Sequence, residues 1–270
     1  MPDKHLLTFI GSPQLGVAAA YTATGSTKVY ICGVTVQADE GLLLHFPKGH
    51  SFTVQQAITV HLDNRTGVDE YDADLLVYRT SYKGVVDQTN GVYVKVRPEH
   101  FEVWYGNRIV HSFNSSSYTH PSDNRADIPF PITPLIDVPI PDMRENENKI
   151  GVLVTEAMRQ PHTTVFAFLS TPEDDIFFIS FPATFKSKLL KRKHYCHFAI
   201  DSRATFTYSE AIEWNYSIIE ADVYEVPQTH RLFEPIRELF VLKNPWEVGF
   251  FMAPDVEMYH LKPRQVILPI

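Results

Sequence analysis

Short runs of β-branched and aromatic residues, separated by Gly, Asp, Asn and Pro, dominate the first 106 positions. KVYICGVTV (28–36), GLLLHF (41–46), AITVHLD (57–63), DLLVYRTS (74–81), GVYVKVR (91–97) and HFEVWYG (100–106) read as strands. Alternation is clearest in VYVKV, where Val92, Val94 and Val96 share one face and Tyr93 and Lys95 the other. Beyond residue 148, KIGVLVTEA, TTVFAFLST, DIFFISF, YCHFAID, EWNYSIIEADVYEV and VEMYHLKP repeat the strand signal. Two helical periods interrupt it. TFKSKLLKRK (184–193) turns Leu189 and Leu190 inward and lysines outward. THRLFEPIRELFVL (229–242) places Leu232, Phe233, Ile236, Leu239 and Phe240 at helical spacing, with Pro235 as a kink point if it lies inside.

Between the two regions, residues 112–149 carry Pro121, Pro129, Pro131, Pro134, Pro139 and Pro141. Each proline removes a backbone donor, so this stretch is neither a central strand nor a helix interior. It reads as an extended connector with partly buried apolar residues. The expected organisation is a small β-barrel over 1–111, a connector over 112–147 and a second β-rich domain over 148–270. Ten of the 12 glycines precede residue 107, which sets the halves apart in composition.

Composition excludes several classes. The 270 residues include 24 Lys+Arg against 32 Asp+Glu, a formal charge of −8. A general nucleic-acid binder needs a basic face, so no nucleic-acid partner is expected. No apolar run approaches the ~20 residues that span a bilayer, and the first residues carry no sustained apolar signal region. A cytoplasmic chain without membrane contact follows, with Cys32 and Cys196 as free thiols. GxGxxG, a P-loop and a serine-hydrolase elbow are all missing. In His194-Tyr195-Cys196-His197, strand alternation splits the ligand atoms between two faces, so no metal is expected.

The series in QPHTTVFAFLSTPEDDIFFISFPATFKSKLLKRKHYCHFAID resembles the pyridoxamine-5'-phosphate-oxidase-like, FMN-binding split-barrel family. Pro161-His162-Thr163-Thr164 opens a strand, Pro172-Glu173-Asp174-Asp175 forms an acidic turn, and Phe177-Phe178-Ile179-Ser180 is an aromatic strand. Thr184-x-Lys186-x-x-x-Leu190 then starts a helix, while EWNYSIIEADVYEVP and VEMYHLKPRQV resemble the later barrel strands. Leu189 and His194 stand where the family often has Asn and Pro, and Glu220 where a small Gly is common.

The resemblance implies a C-terminal split β-barrel, an FMN cofactor and a homodimer. Thr184 and Lys186 are the expected phosphate residues, with Lys188 as a further candidate. His162, Thr163 and Thr164 are expected beside the flavin ring, with Phe178 and Ser180 on the next strand. The residues alone leave an alternative for each. Lys186, Lys188, Lys191, Arg192 and Lys193 also read as a solvated helix face, and Phe178 as core. Trp214 and Trp246 read as packing residues or as ring covers. Some split-barrel relatives bind haem through histidine, so haem is the secondary cofactor expectation.

Residues 28–106 loosely resemble a PilZ-type barrel, the bacterial cyclic-dinucleotide receptor. The first arginine of the chain is Arg65, so the arginine arm that would grip the ligand is missing and cyclic-di-GMP is not an expected partner. A degenerate packing barrel and a second, diverged split barrel are the alternatives. The expected fold is therefore mainly β with a few helices, an N-terminal PilZ-like barrel followed by an FMN-binding split barrel. Two functions remain: an FMN-dependent oxidoreductase acting on a small-molecule substrate, and a non-enzymatic sensor or interaction protein with a degenerate cofactor site.

Overall fold

The computed structural model describes residues 5–65, 76–143, 150–201 and 216–267. After a short helix α1 (Leu6–Ile10), the strands are β1 (Gln14–Tyr21), β2 (Thr27–Val36), β3 (Leu42–His45), β4 (Ala57–Asp63), β5 (Tyr78–Thr89), β6 (Tyr93–Tyr105) and β7 (Arg108–Asn114). They form an antiparallel sheet in the order β3-β2-β1-β4-β5-β6-β7. Pairing of β3 with β6, from Leu42↔Val96 to His45↔Tyr93, closes six of them into a barrel. Ala18, Val34, Leu44, Val60, Tyr82, Val96 and Phe101 are among the side chains that fill it.

Two of the expected strands, 91–97 and 100–106, are one 13-residue strand that runs through Pro98. The ladder breaks there. Gly84 faces Pro98 while Lys83 faces His100, leaving Glu99 as the extra residue of a bulge. A proline is tolerated where the ladder is already interrupted. Gly84 is required by close approach, since a Cβ there would lie 2.5 Å from the Val96 side chain and 2.7 Å from the Arg97 carbonyl oxygen. Beyond the bulge, Arg79, Ser81 and Lys83 share one face of β5, and His100, Glu102 and Trp104 share one face of β6.

The second sheet contains β8 (Ile150–Thr155), β9 (His162–Ala167), β10 (Leu169–Ser170), β11 (Ile176–Ser180), β12 (Tyr195–Asp201), β13 (Tyr216–Glu225) and β14 (Glu257–Ile267). Its order is β10-β11-β14-β13-β12-β8-β9. The two edges of this curled half-barrel are β10 and β9, which only Phe168 separates in the chain. Taking β9–β10 as one bent strand, both halves of the protein have the same ring order, 1-2-3-6-5-4. The first barrel is thus a topological copy of the second.

The halves dock through the outer face of the first barrel. Leu15, Val17, Ala19, Val29 and Ile31 meet Ile150, Val152, Val154, Val165, Ala199 and Ile218. β1 is therefore buried on both faces, which explains its near-continuous LGVAAAY run. Polar contacts fix the register of docking. Arg65 donates to the Ile150 carbonyl at 2.9 Å and to the Asp201 carboxylate at 2.8 Å. The Gln160 amide donates to the Ile58 carbonyl at 2.9 Å, and the Thr59 hydroxyl to the Pro161 carbonyl at 2.5 Å.

The proline-rich connector is a strap along the second half. Ile128 N–H bonds the Lys191 carbonyl, Ile132 bridges Glu225, and Asp142 N–H bonds the Ser170 carbonyl. Helix α2 (Phe185–Arg192) follows β11, while α3 (Phe233–Lys243) and a 3-10 helix (Pro245–Met252) precede β14. Pro235 is the third residue of α3. Its missing N–H is among those no helix satisfies internally, and the expected kink has no cause. Among the described residues, no helix is long and apolar enough to cross a membrane.

Candidate functional site

The polar faces of β5 and β6 are mostly half-buried. They face β9 and α2 of the second half across a groove with three adjoining cavities. The largest, about 520 Å³, is lined by apolar residues including Val165, Phe166, Ile179 and Phe250, with Lys186, Glu247 and Arg79 among them. A second, about 490 Å³, lies between Lys83, His100 and Glu102 on one side and His162, Thr164 and Lys186 on the other. The third, about 200 Å³, lies between Arg79 and Ser81 and the start of β9. Trp104 lines all three.

Helix α2 owes its position to a hydroxyl cluster. Thr184 caps it, accepting the Ser187 N–H. Ser187, fully buried, donates to Ser180 at 2.8 Å, and Ser180 lies 2.9 Å from the Thr184 hydroxyl. The Thr184 hydroxyl proton is engaged within this cluster and with the Phe181 carbonyl, 2.9 Å away. The cap orients the helix so that Lys186 enters the groove.

The five cations of this helix region divide sharply. Lys191 pairs with Glu257 at 2.7 Å, Arg192 with Asp123 at 3.3 Å, and Lys193 with Glu156 at 3.6 Å. Lys188 is exposed and lines none of the three cavities. Only Lys186 turns inward, its ammonium 5.7 Å from the Phe166 ring centroid. It makes no hydrogen bond or ion pair with any described residue. Burial pushes Lys186 down to about 8, with Glu247 opposing the shift. Burial likewise pushes Glu247 up to about 7, with Lys186 opposing.

Of the other residues singled out from the sequence, His162, Thr163, Thr164, Ser180 and Thr184 line the groove. Phe178 does not. It is fully buried in the core of the second half, stacked between Phe166 and Tyr259. Trp246 lines the largest cavity, whereas Trp214 lies outside the described residues. His194 stacks on Phe130 in the strap, and Cys196 is in the core, where burial raises its thiol. Burial raises the Cys32 thiol as well.

Arg79, Lys83 and Trp104 were not legible as site residues. Their signal was the polar period-two face Arg79-Ser81-Lys83 in an otherwise buried strand. Lys83 is held under the interface, its Nζ donating to the Pro161 carbonyl at 2.6 Å and to Thr59 Oγ1 at 3.0 Å. Burial lowers it to about 7. Burial, and then the charges of Lys83 and His120, hold His162 well below the usual histidine range, so its imidazole is neutral at pH 7.

No protein-family model matches the chain, and no curated protein matches it. Solved structures similar to part of it include the heme storage protein HutZ from Vibrio cholerae, at 16% identity and a TM-score of 0.39. That match covers 47% of this chain and 91% of HutZ. An FAD-binding protein from Mesorhizobium loti matches at 13% identity and a TM-score of 0.36, covering 45% of this chain and 83% of its own. A putative pyridoxamine 5'-phosphate oxidase from Listeria innocua matches at 16% identity and a TM-score of 0.33, covering 44% and 87%. Similarity at this level is confined to about half of the chain and says nothing of activity.

Proposed function

We propose that the groove binds flavin mononucleotide and that the protein is an FMN-dependent oxidoreductase acting on a small molecule. The observation that carries this reading is Lys186, an ammonium in a largely apolar cavity whose burial the Phe166 ring and the carboxylates of Glu247 and Glu257 offset without a hydrogen bond or ion pair among the described residues. An anion placed there would relieve an unpaired charge. The first-turn N–H groups of the capped helix α2 face the same need. Lys186 and the start of α2 would hold the phosphate, with Thr184 acting as the cap that presents them. The apolar cavity has the volume and flat aromatic walls that suit a ring system.

When bound, the flavin supplies the hydride or electron transfer. The chain's own residues bind, orient and shield. Val165, Phe166 and Trp246 line the largest cavity and would shield the ring faces from water. His162 stands as a neutral imidazole in the two adjoining cavities, next to Ser81. Both barrels of one chain supply the groove, so the reading needs no second copy. The homodimer implied by the resemblance is then dispensable for binding.

Glu247 favours a second reading, a non-enzymatic sensor or interaction protein with a degenerate cofactor site, because a carboxylate beside Lys186 opposes an anionic ligand. The visible spectrum after addition of FMN and desalting separates the two. A flavin band retained by the wild type and lost in Lys186→Ala supports the oxidoreductase reading. No retained flavin in a folded protein removes it. Hemin added in the same way is expected to give no sharpened haem band.

A further inference from the structure

The cavity of about 490 Å³ between β5–β6 and α2 carries donor groups besides the Lys186 assigned to the flavin phosphate. Lys83 and His162 lie on it from the two barrels, His120 reaches it from the strap, and Lys186 borders it from α2. Glu102 is the only carboxylate lining it. The donor state of His162 follows from its neighbours. Ser81 Oγ accepts two hydrogen bonds from Thr163, at 3.2 Å from the amide and 2.8 Å from the hydroxyl. The Ser81 proton is left for His162 Nδ1, 3.5 Å away. With Nδ1 as acceptor, Nε2 carries the ring proton, and it has no hydrogen-bond partner among the described residues.

We propose that the donors of this second cavity form a separate anion site, taking the carboxylate or phosphate of the small molecule that reacts beside the flavin. The inference rests on the flavin reading for the identity of its neighbour, and on Lys83, His162 and His120 for its own chemistry. The largest cavity alone, with Lys186, accommodates the cofactor, which leaves these three groups for a second ligand. Trp104, Thr184 and Lys186 line both cavities and would bring the two ligands together. Lys83 holds its place through Pro161 and Thr59, so it offers a donor in a fixed position.

Calorimetric titration with inorganic phosphate and with acetate tests the site, on flavin-free and on FMN-loaded protein. One of the two anions is expected to bind the FMN-loaded protein, and which one names the ligand's anionic group. Lys83→Met is expected to weaken that binding tenfold or more while FMN affinity stays within threefold. His120→Gln, at an exposed position, is expected to weaken it threefold and serves as the deciding variant if Lys83→Met does not fold. Loss of anion binding on FMN loading would assign the cavity to the cofactor and overturn the proposal. Unchanged binding in both variants, or no binding of either anion, would also overturn it. If FMN itself does not bind, the flavin reading fails, and the flavin-free titrations decide the anion site by the same variants.

Discussion

Lys83 Nζ in β5 donates at 2.6 Å to the carbonyl of Pro161, the residue just ahead of β9, and so ties the first barrel to the second. The bond comes with a desolvated charge. Burial lowers the Lys83 amine from 10.5 to about 7. Between those values the unfolded chain holds a proton that the folded chain has released, so stability rises with pH across that window. Below about pH 7 both states are protonated, and the folded protein carries the whole desolvation penalty. Lys83→Met removes it. Relative to wild type, the variant is expected to gain more than about 1 kcal/mol at pH 6 compared with pH 10. Urea unfolding at the two pH values measures this, and an equal difference at both would refute it.

A second tie between the barrels has the opposite sign. Arg65 and Asp201 form a buried ion pair at 2.8 Å, with Asp63 also within 3.3 Å of the guanidinium. Removing one partner strands a charge without water. Arg65→Met is expected to cost about 3–5 kcal/mol in denaturant unfolding. The double change Arg65→Met with Asp201→Leu is expected to lose less than the two single changes added together, since Arg65→Met leaves the buried Asp201 carboxylate that the second change removes.

The strand core is readable where β-branched and aromatic residues form a run with clear ends. AITVHLD and YCHFAID coincide with β4 and β12 because their polarity changes at the strand ends. β1 is not readable because LGVAAA has no alternation and is rich in alanine, with Val17 its one β-branched residue. β7 went unread because it hangs on the barrel edge with mostly exposed residues. The site was half legible for a similar reason. His162, Ser180, Thr184 and Lys186 belong to one ordered series in the second half. Arg79, Lys83 and Trp104 come from the other barrel, and no local pattern states which surface a polar strand face will meet. Conversely, the lysine-rich helix advertised five cations, and tertiary partners absorb three of them.

The β5–β6 bulge shapes the groove wall, and Gly84 makes it possible. A methyl group at this position would approach the Val96 side chain to 2.5 Å and the Arg97 carbonyl oxygen to 2.7 Å. Backbone must shift to admit it. Gly84→Ala is expected to destabilise by about 1–3 kcal/mol and to weaken ligand binding in the groove, because Lys83 is its direct neighbour. Gly25→Ala, with open space around its Cβ but a φ of +84°, offers a contrast. Its cost is backbone strain alone, and binding in the groove is expected to stay unchanged.

Glu247 and Lys186 share the largest cavity, and their burial shifts make flavin binding pH-dependent. Glu247, raised to about 7, is neutral in acid and anionic above neutrality. Lys186, lowered to about 8, loses its charge above that pH. Both changes disfavour an anionic ligand as pH rises. FMN affinity is therefore expected to fall about tenfold or more between pH 7 and 9, a range in which the phosphate itself stays doubly charged. Glu247→Gln is expected to tighten binding several-fold at pH 8 and to change it little at pH 6, where the carboxyl is already neutral. Lys186→Ala is expected to abolish retention at every pH, whereas Lys188→Ala, on the exposed side of the helix, is expected to stay within twofold of wild type. Fluorescence titration of FMN across this range reads all three variants. A pH-independent affinity in the wild type would show that the phosphate lies elsewhere than beside Lys186.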